Sequence, residues 1–122
     1  MIEIFKKIEG EKYYLVSNLG TVLRIEHSRL INGIKRHYRK KIIKPFDNGN
    51  GYLKVKLTDE NGCNIYYIHR LVIKTFCPQL TPKEQVRHRD GNRQNNCLEN
   101  LEWGTPLENA QDKKNYNVKR PI

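Results

Sequence analysis

Residues 85–110 read QVRHRDGNRQNNCLENLEWGTPLENA, and three side chains within them have the types that phosphodiester hydrolysis needs. That reaction takes a base near the attacking water, a divalent cation on the scissile phosphate and leaving oxygen, and little else. His88 carries the side chain whose unperturbed pKa suits base work near neutrality. Asn109 offers an oxygen of the hard kind that magnesium accepts. Asn100, midway in LENLEW, can hold its loop by bonding backbone groups, as asparagine commonly does in turns. A lone histidine beside charged residues is ordinarily a solvated or structural group. The ordered set of His88, Asn100 and Asn109 is what lifts it above that reading.

These side chains need a scaffold, and the flanking residues predict one. A short strand is expected near Gln85 to Arg89, then a Gly91-Asn92 turn, then a run through LENLEW to a second short strand. Thr105-Pro106-Leu107-Glu108 has the form of a capping box with proline at the first helical position, so a helix is expected from about Pro106 to about Asn115. A hairpin packed on that helix would bring His88 and Asn109 together. Further upstream, YYLVSNLGTVLRI (13–25) predicts a tight hairpin around Asn18-Leu19-Gly20. YLKVKLT (52–58) and NIYYIH (64–69) predict a second hairpin, and RLVIKTF a short buried helix stopped by Cys77-Pro78. The stretch from Arg24 to Lys44 is strongly basic without clean apolar periodicity, and reads as a basic arm or loop. The fold class is α+β, built of small antiparallel hairpins and short helices. Trp103, with Leu98, Leu101 and Leu107, is expected in the core of the small C-terminal hairpin rather than as a platform for bases.

Composition narrows the partner. The 122 residues suit one domain or a small module, and a net charge of +10 favours DNA or RNA over a membrane surface. No run approaches the roughly 18 apolar residues that cross a bilayer, and MIEIFKKIEGEK lacks the apolar stretch of a signal peptide. A soluble, intracellular, cytoplasmic protein is expected. Cys63, Cys77 and Cys97 form no C-x-x-C pair, so they read as reduced thiols and no structural zinc is expected. Nothing calls for a small-molecule cofactor.

Three stretches carry a resemblance. HRLVIKTF (69–76), VRHRDGNRQNNCLENLEWGTPLENA (86–110) and EIFKKIEGEKYYLVSNLGTVLRI (3–25) together resemble an HNH homing-type endonuclease of the ββα-metal group, joined to an N-terminal modular motif associated with DNA binding. The resemblance implies a C-terminal ββα-metal motif and hydrolysis of double-stranded DNA, by nicking or cleavage, with magnesium or manganese. It implies residues 1–50 as the DNA-binding motif and basic arm and 51–122 as the nuclease domain, in a bacterium or a virus-infected cell. It makes His88 the general base, Asn100 the structural asparagine of the loop and Asn109 a metal ligand, and it puts the His69-Arg70 pair near the cleft.

Arg87 departs from the pattern. The residue before the base is usually Asp or Asn and ligates the metal, whereas a guanidinium has no lone pair to give. Arg87 could clamp the scissile phosphate while another carboxylate completes the metal shell: Asp112, at i+3 from Asn109, or else Asp90. The metal site could instead be lost and the fold kept as a non-catalytic DNA-binding protein. Arg87 could also do much of the cation's work in metal-poor catalysis. Arg24, Arg29, Lys35, Arg36, Arg39, Lys40, Lys41 and Lys44, with Lys54, Lys56, His69 and Arg70, are the expected DNA contacts. RNA binding is the weaker rival.

Overall fold

The computed structural model describes residues 2–47, 49–78 and 85–104. The first sheet has four antiparallel strands in the order β1 (Phe5–Lys7), β2 (Tyr14–Ser17), β3 (Val22–Arg24) and β6 (Lys41–Ile42). The expected hairpin at its centre forms because Ser17 closes the turn. Its amide donates to the Thr21 carbonyl at 2.8 Å, and its buried hydroxyl oxygen accepts from the amides of Leu19 and Thr21. Gly20 completes the reversal at φ +89°, a conformation that costs glycine little.

A second sheet orders β7 (Phe46–Asp47), β8 (Leu53–Asp59) and β9 (Gly62–Tyr67). Val55 and Leu57 of β8 are fully buried while Lys56 between them is exposed, the period-2 alternation expected of this hairpin. Strand β9 runs directly into helix α1 (Ile68–Phe76), which starts two residues earlier than the spacing predicts and ends where the Cys77 amide caps the Ile73 carbonyl at 2.7 Å before Pro78. Ile68, Leu71, Val72 and Ile73 turn inward, each contributing roughly 1.5–3 kcal/mol by burial. They meet Ile8, Tyr14, Val16 and Val22 from the first sheet, Val55 and Leu57 from the second, and Leu101 from the C-terminal hairpin. The described residues therefore share one core.

The stretch from Arg24 to Lys44 is not an arm or loop. It folds into a two-stranded ribbon, β4 (His27–Ile31) and β5 (Ile34–Tyr38), and then β6 on the first sheet. The turn is Asn32-Gly33, both at positive φ (52° and 77°), a pairing that matches the twist of a two-residue hairpin. Long basic side chains on both faces hide the alternation that would have announced it. The base of the ribbon is locked by rings: His27 stacks on Tyr13 and Tyr38, with centroids 3.6 and 5.2 Å away. The Arg29 guanidinium lies 4.9 and 4.1 Å from those two tyrosine rings.

Candidate active site

Strands β10 (Gln85–His88) and β11 (Leu101–Gly104) pair antiparallel, with Arg87 opposite Glu102 and His88 opposite Leu101. Between them, a 3-10 turn at Leu98–Asn100 and a web of side-chain bonds fix the loop. Asn100 accepts from the Asp90 amide at 3.0 Å and donates to the Asp90 carboxylate and the Asn95 carbonyl at 2.9 Å each, while its own carbonyl receives the Arg89 amide at 2.7 Å. These bonds tie Asn100 to Arg89, Asp90 and Asn95 across the loop.

Asp90 belongs to the same web. One carboxylate oxygen accepts from the Asn92 amide and Asn100, and the other from the Asn95 amide group at 2.9 Å. Burial pushes its carboxyl up, but the bonds from Asn95, Asn92 and Asn100 outweigh that and hold it below the ordinary range. A carboxylate spent on turn donors is poorly placed to ligate an ion as well.

His88 ends β10 buried, with Nε2 3.0 Å from Oδ1 of Asn96. Its ring lies 5.1 Å from His69 and 6.0 Å from Tyr52. Burial lowers its pKa, partly offset by the Asn96 bond and Asp90, so the ring is neutral at physiological pH, the state a general base requires. His69, from the first turn of α1, is driven further, to about 3, by burial and by its neighbours His88 and Arg70. Among the described residues nothing bonds its Nδ1.

Arg87 lies across β11. Nη1 is 2.8 Å from Glu102 Oε1, and Arg89 Nη2 reaches the other oxygen at 3.3 Å. Its stem crosses directly over Gly104, where a Cβ would sit 2.1 Å from Arg87 Cδ. Gly104, two residues along β11 from Glu102, therefore accommodates the Arg87 stem by having no side chain.

Comparison with known proteins decides what this hairpin belongs to. Residues 66–111 match the HNH endonuclease family model, and residues 3–58 match that of the NUMOD4 motif. The chain carries an HNH endonuclease domain joined to a NUMOD4 motif. It is 31% identical over 120 residues to the DNA endonuclease I-HmuI of Bacillus phage SP01, covering 95% of this chain and 62% of that protein. It is 41% identical over 127 residues to an uncharacterized HNH endonuclease of Acanthamoeba polyphaga mimivirus, covering 91% of this chain and 35% of that one. The solved structure of I-HmuI, described as DNA binding and cleavage by the HNH homing endonuclease, superposes with a TM-score of 0.75 at 28% identity over 97% of this chain and 62% of that one. The α+β class stands. The chain spans less than two thirds of the length of either relative.

HNH nucleases generally use a divalent metal. Within the HNH domain the described residues do not fit one: position 87 is a guanidinium, both Asp90 oxygens accept turn bonds, and both Glu102 oxygens face arginines. No group of three His, Cys, Asp or Glu side chains converges among them. Asn109, Asp112 and the helix expected from Pro106 lie outside the described residues, as does Leu107.

The expected DNA contacts divide by exposure. Lys35, Arg36, Arg39, Lys40, Lys41, Lys44, Lys56 and Arg70 are exposed. Arg29 is only 5% exposed, held by rings and by a bond from Nε to His27 Nε2 at 2.8 Å, so it anchors the ribbon instead of reaching outward. His69 is likewise buried. Arg24 donates twice to the Arg39 carbonyl, and the Lys54 ammonium sits 5.0 Å from the centre of the Tyr67 ring. Trp103 packs against the core and donates to the Cys77 carbonyl at 2.6 Å, as a core residue should. Asn96, Glu102 and Tyr52 were not singled out in the sequence; only the NN doublet at a set distance from His88 could have flagged Asn96. No helix among the described residues is long and apolar enough to cross a membrane.

Proposed function

We propose that this chain is an HNH homing-type endonuclease that nicks or cleaves double-stranded DNA inside a bacterium or a virus-infected cell. The observation that carries this reading is the buried His88, hydrogen-bonded through Nε2 to the side-chain oxygen of Asn96, within a domain matching HNH endonucleases. The amide oxygen of Asn96 can only accept, so Nε2 holds the proton and Nδ1 keeps the lone pair. Nδ1 takes a proton from the attacking water as oxygen bonds to phosphorus, and the bond to the leaving oxygen breaks.

The exposed cations of the β4–β5 ribbon and of β6 hold the duplex through its phosphates, without bearing on sequence. Arg87 and Arg89, gathered by Glu102, offer guanidinium groups near the scissile phosphate. A divalent ion, magnesium or manganese, would supply charge neutralisation at the phosphate and leaving oxygen; it would have to be held by Asn109 with Asp112. The test is plasmid nicking with either ion. His88→Ala must abolish nicking while leaving DNA binding intact.

Arg87 also favours a second reading, a DNA-binding protein that kept the HNH fold without cleavage, because its guanidinium occupies a ligand position and is matched by Glu102 and Gly104. That reading requires salt-sensitive DNA binding with no nicking under any divalent ion.

A further inference from the structure

We infer that Asn96 is the positioning residue of the His88 base, and that the β2–β3 turn of the NUMOD4 motif holds Asn96 in place. This rests on the reading of His88 as base and adds what orients it. Asn96 is 5% exposed, and its Oδ1 is 3.0 Å from His88 Nε2. An acceptor there pins the ring about χ2 and selects the tautomer with Nδ1 unprotonated.

Asn96 is in turn wedged from the N-terminal side. A Cβ on Gly20 would lie 3.2 Å from both the Cβ and the carbonyl oxygen of Asn96, so the glycine allows the turn to close on it. The Leu98 amide donates to the Asn18 carbonyl at 2.7 Å, and the Cys97 thiol lies 3.8 Å from the Leu19 carbonyl. Three successive residues of that turn thus press on the segment that follows His88. A motif associated with DNA binding thereby also builds the catalytic centre.

The geometry separates two kinds of variant. Asn96→Ala removes the acceptor, whereas Asn96→Asp keeps one at the same reach. Gly20→Ala leaves the acceptor but pushes against it from a backbone at φ +89° that disfavours any side chain.

The experiment measures, on the full chain, the solvent exchange of the His88 ring N–H by nitrogen-15 NMR, assigned by its loss in His88→Gln, together with plasmid nicking. The wild type is expected to show a slowly exchanging Nε2–H. Asn96→Ala should lose it to fast exchange with nicking down roughly ten- to a hundredfold through kcat, Asn96→Asp should restore both, and Gly20→Ala should fall between. Thermal unfolding of each variant separates loss of the fold from loss of alignment. A protected proton on Nδ1, or an Nε2–H unchanged in a folded Asn96→Ala, overturns the proposal. If His88→Ala nicks normally, the base reading fails instead, and the NMR result still decides whether Asn96 orients the ring.

Discussion

Arg87 and Glu102 face each other directly across β10 and β11, joined at 2.8 Å, and Arg89 closes on the same carboxylate from two residues further along. One acidic side chain therefore gathers two cations beside the candidate base. Glu102 is partly exposed, so the pairing contributes on the order of 1 kcal/mol or less to stability. Its larger effect is on charge: Glu102→Gln should leave the unfolding midpoint nearly unchanged and tighten binding to duplex DNA. A titration of affinity against salt would check this, and weaker binding in the variant would refute it.

Gly104 is bound to the same arrangement. Gly104→Ala places a Cβ 2.1 Å from Arg87 Cδ, so Arg87 must leave its path over β11. Where Arg87 serves the scissile phosphate, Gly104→Ala and Arg87→Ala should both lower the nicking rate about tenfold or more at saturating DNA. Equal nicking by all three proteins would remove Arg87 from the reaction.

His69 makes stability depend on pH. Its folded pKa is about 3 against 6.5 for the ordinary group. Between those values the unfolded chain binds a proton that the folded chain refuses. The contribution is present above about pH 6.5 and is lost as pH falls toward 3, at up to about 1.4 kcal/mol per pH unit. His69→Phe should flatten the acid side of a denaturation-versus-pH curve, and an unaltered slope would contradict this assignment.

Asn100 is buried and makes three side-chain bonds in the loop. Asn100→Ala strands the Asp90 amide and the Asn95 carbonyl, costing about 2–3 kcal/mol, which chemical denaturation would detect. Cleavage should fall with it because the loop after His88 loses its frame. Full stability in the variant would show that water replaces the amide.

The ribbon separates two arginines of equal charge. Arg36 is exposed, so Arg36→Ala should weaken DNA binding and reduce the salt slope by about 1. Arg29 is buried between rings, so Arg29→Ala should chiefly lower the unfolding temperature. If both variants changed only DNA affinity, the ring-locked base of the ribbon would be wrong.

The signals that could be read along the chain are the local ones. Asn18-Leu19-Gly20 and the alternation of LKVKL mark their hairpins because turn chemistry and period-2 burial are written in neighbouring residues, and the HNH motif marks His88 and Asn100 by spacing. Asn32-Gly33 carried the same kind of signal, but the cations on both strands concealed it. Charge told that the chain suits a polyanion, and not which cations stay outside. Tertiary structure alone decided that Arg29 is enclosed by Tyr13 and Tyr38, that Glu102 meets Arg87, and that Gly20 abuts Asn96 beside His88. Each of those is a contact between residues brought together from different elements. Burial, dielectric and hydrogen-bond partners belong to the packed neighbourhood and not to the residue, so a charge or an imidazole acquires its role only once the core has closed around it.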